Sequence, residues 1–142
     1  MPTRGSPEPI LLDTSAAVAF VVADHRHHDA TFGALADRRL GLAGHAAFEA
    51  FSVLTRLPTP ARRTAAAVAR LLAATFPDTW LLSAKRSAEL LGDLAGHGIA
   101  GGSVYDAPVG AAAAEHELTL VTRDRRAVGT YHELGADVQL IR

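Results

Sequence analysis

Apolar residues in this chain alternate between short runs and helical spacings. Ile10-Leu11-Leu12 has the length of a buried strand and closes on Asp13. Residues 14–22 then read as a helix, and 24–39 as a second, more polar one, with Phe32, Leu35 and Ala36 at 3–4 spacing. A short strand is predicted over 40–43, before Gly44. Residues 45–56 carry a helical apolar period that stops at Leu57-Pro58, and Thr59-Pro60 offers a cap and first-turn proline for a helix over 61–76. Residues 79–82 predict a strand, and Ser83 caps a helix from 84 to about 97, ended by Gly96 and Gly98. After Gly101-Gly102, a helix over 103–115 leads to a strand over 118–121. A loop with a turn of helix fills 124–134, and 138–141 makes the last strand.

Strands that alternate with helices at this spacing predict an α/β fold with a mostly parallel central sheet covered on both faces. A chain of 142 residues, 49% hydrophobic, can bury one core. The expected organisation is a loose tail over 1–9, rich in proline, and one domain over 10–142. No repeat or linker interrupts it; the alanine runs 65–67 and 111–114 favour helix.

Composition narrows the chemistry. With no cysteine, disulfides, thiolate nucleophiles and thiolate metal sites are excluded. The opening residues lack the apolar run of a signal peptide, and no stretch approaches the roughly 20 apolar residues of a membrane span. A soluble, cytoplasmic protein with no membrane partner is expected. The net charge of −1 gives no global attraction for nucleic acid, so contacts to it would depend on local patches.

Four acids stand out. In open α/β sheets ligands bind beyond the carboxyl ends of strands, and Asp13 and Asp124 each follow a strand run. Each also has a structural reading, as a helix cap or turn residue. Glu49 shares a small, apolar helix face with Ala46, Ala50 and Val53, where an ionised carboxylate is costly unless paired or bound to a cation. His45 or Arg56 would be its structural partner. Asp106 could answer Ser103 in a capping box, or could itself start the helix, which Pro108 favours because the proline then falls in the first turn. Either way it lies at a helix N-terminus, where the dipole favours its ionised form. Were the fold to gather the four, they would repel one another unless a cation shared the site. Hard oxygen ligands select Mg²⁺ or Mn²⁺, and the chemistry that suits such a site is phosphodiester hydrolysis.

In the order Leu-Leu-Asp13-Thr-Ser-Ala, His-Ala-Ala-Phe-Glu49-Ala-Phe-Ser-Val-Leu-Thr-Arg-Leu-Pro, Tyr-Asp106-Ala and Leu-Thr-Leu-Val-Thr-Arg-Asp124, the chain resembles PIN domains, specifically the VapC-type toxins of bacterial toxin–antitoxin pairs. The resemblance implies a three-layer α/β/α sandwich and endoribonuclease activity leaving a 5′-phosphate and a 3′-hydroxyl. It further implies a homodimer neutralised by an antitoxin protein. It carries the family's catalytic metal ligands onto Asp13, Glu49, Asp106 and Asp124, with Thr122 as the hydroxyl before the last acid and Ser15 supporting the first. Pro108 departs from the family pattern, and the tail is longer than the family needs.

Arg123, Arg125 and Arg126 flank Asp124 and could hold RNA phosphates; a solvated loop is the other reading. His25, His27 and His28 lack the i, i+4 pair of a helical zinc site and read as solvent-facing, while Trp80 reads as core. Two alternatives to a toxin remain open at this level: a housekeeping PIN nuclease acting on RNA or structured DNA, and a non-catalytic α/β binding module.

Overall fold

A computed structural model describes residues 7–142. Most of the expected tail, residues 1–6, lies outside the described residues; Pro7 is held by its carbonyl, which accepts from the Arg39 guanidinium (3.2 Å).

Four short strands, β1 (Ile10–Leu12), β2 (Leu40–Leu42), β3 (Leu120–Thr122) and β4 (Val138–Leu140), form an all-parallel sheet in the order β2-β1-β3-β4. Three strands are buried throughout, which is why they appear in the sequence as unbroken apolar runs instead of alternating patterns. Side chains still divide between the two faces. Ile10, Leu12 and Val121 pack into one core with Ala16, Ala17 and Phe20 of α1 (Thr14–Val21), Leu35 of α2 (His28–Leu35) and Ala50 of α3 (Ala46–Thr55). Leu11 and Leu120 face a second core with Val109 and Ala113 of α6 (Ala107–Glu115) and Ala127 and Tyr131 of α7 (Arg125–Glu133). Helices α4 (Ala65–Thr75) and α5 (Ala84–Asp93) extend the two layers, giving the expected three-layer α/β/α sandwich.

Several elements differ locally from the sequence reading. The helix expected over 24–39 is only α2, because His25 and His28 amides bond back to Val22 and His25 carbonyls in successive turns. Helix α4 starts at Ala65, not 61: Thr64, not Thr59, is the cap, its hydroxyl accepting from the Ala67 amide (3.1 Å), while Arg62 donates to the Leu57 carbonyl and holds the preceding turn. The strand expected over 79–82 reduces to one bridge between Ala43 and Trp80. The chain follows the edge of β2 through bonds from the Asp78 and Trp80 amides to the Leu40 and Leu42 carbonyls, then leaves at Ser83, which caps α5. Trp80 is 46% exposed and lies against His116 instead of in the core. Residues 124–134, expected to be mostly loop, form the nine-residue helix α7, which buries Ala127 and Tyr131 one turn apart.

Candidate active site

The carboxyl end of β1 places Asp13 at the sheet's edge, where it caps α1 and is 4% exposed. A buried carboxylate needs donors, and Asp13 has four. Its Oδ1 accepts from the Ser15 hydroxyl (2.6 Å) and the Ala16 amide (3.0 Å), and its Oδ2 accepts from the Thr122 hydroxyl and from the Tyr131 hydroxyl (2.9 Å). Two of these hydroxyls also accept. Ser15 takes the Arg123 amide (2.9 Å) and Thr122 takes the Asp124 amide (2.9 Å), so together they stitch the end of β1 to the end of β3. Ser15 and Thr122 therefore connect the first and last acids directly.

Asp124 caps α7, accepting from the Arg126 amide (3.0 Å) and lying 3.3 Å from the Arg126 guanidinium. Glu49 is half-buried on α3. Its partner is Thr14, whose hydroxyl donates to it at 3.0 Å, and not His45 or Arg56; His45 is turned against Phe48, and Arg56 bonds to Ser52. Asp106 joins a 3-10 segment (Gly101–Tyr105) to α6, with Pro108 in the first turn of that helix as expected. Ser103 does not cap α6, since its hydroxyl donates to the Ala100 carbonyl.

Asp13, Glu49, Asp106 and Asp124 line one pocket of about 250 Å³, together with Thr14, Ser15, Val109 and Tyr131. Its electrostatics correct one expectation. Although Asp106 sits at a helix N-terminus, its carboxylate makes no capping bond, and its pKa is raised. Burial is the largest cause, followed by the charges of Asp124, Glu49 and Asp13, with Arg126 opposing them. Tyr131 was not among the residues singled out from the sequence. Burial, then the Asp13 charge and the bond to it, raise its pKa, so the phenol stays a donor. The available signal was a tyrosine one turn after Ala127 on the apolar stripe of a helix, since a buried tyrosine hydroxyl needs a partner.

The three arginines diverge. Arg125 is exposed and Arg126 is engaged with Asp124. Arg123 reaches back to Thr31 of α2 (3.4 Å), where its charge adds to burial in lowering the pKa values of His25 and His27.

An all-oxygen donor set, in which the charges of Asp124, Glu49 and Asp13 add to burial in raising the pKa of Asp106, suits a hard divalent cation. Among the described residues no three of these side chains converge at ligand distance.

A separate, larger apolar groove of about 460 Å³ is lined by Pro108 and by residues that include Phe48, Leu81 and Leu91, the last three well exposed. No helix among the described residues is long and apolar enough to cross a membrane.

Residues 10–132 match the model of the PIN domain family. The chain is 45% identical over 130 residues to Ribonuclease VapC27 of Mycobacterium tuberculosis (strain ATCC 25618 / H37Rv), covering 92% of this chain and 95% of that protein. It is 43% identical over 130 residues to Ribonuclease VapC40 of Mycobacterium tuberculosis (strain CDC 1551 / Oshkosh), covering 91% and 96%. A parallel sheet with acids at its carboxyl edge, a family model spanning most of the chain and two near-full-length ribonuclease relatives agree: the chain belongs to the PIN-domain family, among its VapC-type ribonucleases.

Proposed function

We infer that this protein is a metal-dependent endoribonuclease and the toxin of a type II toxin–antitoxin pair, acting in the cytoplasm. The observation that carries the reading is the pocket in which four carboxylates, drawn from four separate elements, face one another. Asp13, Glu49, Asp106 and Asp124 are the residues we assign to hold Mg²⁺, for which Mn²⁺ can substitute. When bound, the metal supplies an activated water and neutralises charge on the phosphoryl oxygens.

The chain's own residues then have distinct tasks. Ser15 and Thr122 fix the Asp13 carboxylate and tie it to the Asp124 backbone. Glu49 and Asp106, less encumbered by protein donors, line the pocket with lone pairs still available. Arg123 and Arg125 are assigned to RNA phosphates beside the cut; Arg126 is assigned first to Asp124 and joins them when the substrate competes for it.

We further propose a homodimer and neutralisation by a cognate antitoxin protein, as the family resemblance implies. The exposed apolar groove supports a second copy as its occupant. Sedimentation of wild type and Leu91→Glu tests this: a dimer that dissociates in the variant is expected, and a wild-type monomer at all concentrations overturns it.

The activity is tested by inducible expression of wild type and Asp106→Asn, followed by mapping of new RNA ends, with the purified proteins assayed in Mg²⁺ or Mn²⁺. New 5′-phosphate ends with wild type alone are expected. Equal cleavage by Asp106→Asn, or none by wild type with either metal, overturns the reading.

A further inference from the structure

Tyr131 is 2% exposed on a helix whose neighbouring positions Arg125, Arg126 and Gly129 are exposed, so it is one of the few residues by which α7 grips the core. A phenylalanine would fill the same space without the cost of burying a hydroxyl. The hydroxyl is spent on Asp13 Oδ2, at 2.9 Å.

The ring's seat is built from the neighbouring helix. Gly110 of α6 lies so close that a Cβ there would stand 3.0 Å from Tyr131 Cδ1 and 3.2 Å from its Cα. Any side chain at 110 would push on both the ring and the α7 backbone, whereas glycine lets the two helices close until the phenol points into the acid pocket. The other donors to Asp13 come from its own turn, Ser15 and Ala16, or from the adjacent strand, Thr122. Tyr131 approaches from the opposite helical layer, and it lines the pocket itself.

We propose that Tyr131, seated by Gly110, is a positioning residue that sets the plane and orientation of the Asp13 carboxylate toward the metal. The inference rests on the reading of the acid pocket as a metal centre. Partners that orient a ligating carboxylate commonly change metal affinity by about 10–100-fold when removed. The geometry gives a specific reason here. Three donors fix Asp13 from its own turn and the adjacent strand; without the fourth, Oδ2 keeps only Thr122 and the carboxylate can rotate toward it.

The test is titration of Mn²⁺ alone into wild type, Tyr131→Phe and Gly110→Ala, by calorimetry and by the electron paramagnetic resonance signal of free Mn²⁺, with thermal unfolding of the metal-free proteins measured alongside. Tyr131→Phe keeps the ring and removes the bond; Mn²⁺ affinity about 10-fold weaker, with a shift in the bound Mn²⁺ spectrum, is expected. Gly110→Ala keeps the hydroxyl but displaces it, and should weaken Mn²⁺ binding in the same direction. Mn²⁺ affinity unchanged or tightened in Tyr131→Phe, with only Tm lowered, would show the hydroxyl to be structural and overturn the proposal. Failure of wild type to bind Mn²⁺ at all would instead remove the metal-centre reading on which the proposal stands. Were Tyr131→Phe not to fold, the Gly110→Ala titration decides alone: unchanged affinity there overturns the proposal.

Discussion

Asp13 accepts four hydrogen bonds in a nearly closed site, whereas Asp106, in the same pocket, accepts no capping bond and is held above its usual pKa by burial and by three neighbouring carboxylates. Their removal should therefore have opposite effects on the fold. Asp13→Ala strands buried donors, each costing about 1–3 kcal/mol, and is expected to lower unfolding free energy by about 2–4 kcal/mol in urea. Asp106→Asn removes repulsion that the folded state bears. A raised folded pKa means this residue's contribution is fully favourable below the unfolded value of 3.8 and is lost as pH rises through the folded pKa. At neutral pH without metal, Asp106→Asn should raise Tm by about 1–3 °C while abolishing cleavage, and that gain should vanish at pH 3. A variant less stable than wild type at pH 7 would count against the repulsion. The sequence made these acids visible because they stand at strand ends and helix starts. It could not rank them, since the number of donors around Asp13 depends on Thr122 and Tyr131, more than a hundred residues away.

Elements were legible where their signals are local. Ser83 before α5 and Pro108 in α6 act within one turn, and both lie where the sequence puts them. Thr59-Pro60 carries an equally good local signal and starts no helix, because Arg62 and the Pro58 carbonyl hold that stretch in a turn and Thr64 takes the cap. The segment beside β2 departs from the expected strand for a tertiary reason: it pairs for a few bonds only, across a glycine. A Cβ on Gly41 would lie 2.0 Å from the Asp78 carbonyl oxygen and 2.7 Å from the Thr79 nitrogen, and backbone cannot yield as a side chain can. Gly41→Ala is expected to cost more than about 3 kcal/mol or to prevent folding, judged by expression and circular dichroism. Between helices, Glu115 at the end of α6 accepts from the Ser83 hydroxyl (2.6 Å) and amide (2.9 Å), which lower its pKa. A depressed folded pKa contributes stability above the unfolded value of 4.5, lost as pH falls through the folded one. Tm of wild type and Glu115→Gln should therefore differ at pH 7 and converge near pH 3; because the pair is exposed, the difference should be small, about 1–2 °C.

Across the whole molecule, folding gathers carboxylates that the unfolded chain disperses. Positions 13, 49, 106 and 124 meet because parallel strands end together at one edge of the sheet and α3 and α6 bring their acids to that same edge. A net charge of −1 hides this concentration. Under the proposed reading, only the folded state presents a site for a divalent cation, so ligand linkage should be visible in stability: about 2.7 kcal/mol at a free concentration of 100 times Kd. For a chain of this size that corresponds to a rise in Tm of roughly 8–10 °C, growing with the logarithm of Mn²⁺ concentration. Sodium chloride at matched ionic strength should give only a small rise, because screening relieves repulsion without occupying the site. In Asp106→Asn the metal-free Tm should start higher and its rise should begin only at higher Mn²⁺, since the carboxylate that destabilises the empty fold is the one assigned to hold the ion. A rise beginning at the same Mn²⁺ concentration in both proteins would separate Asp106 from the metal, and a flat wild-type curve would mean that the gathered acids bind no divalent ion.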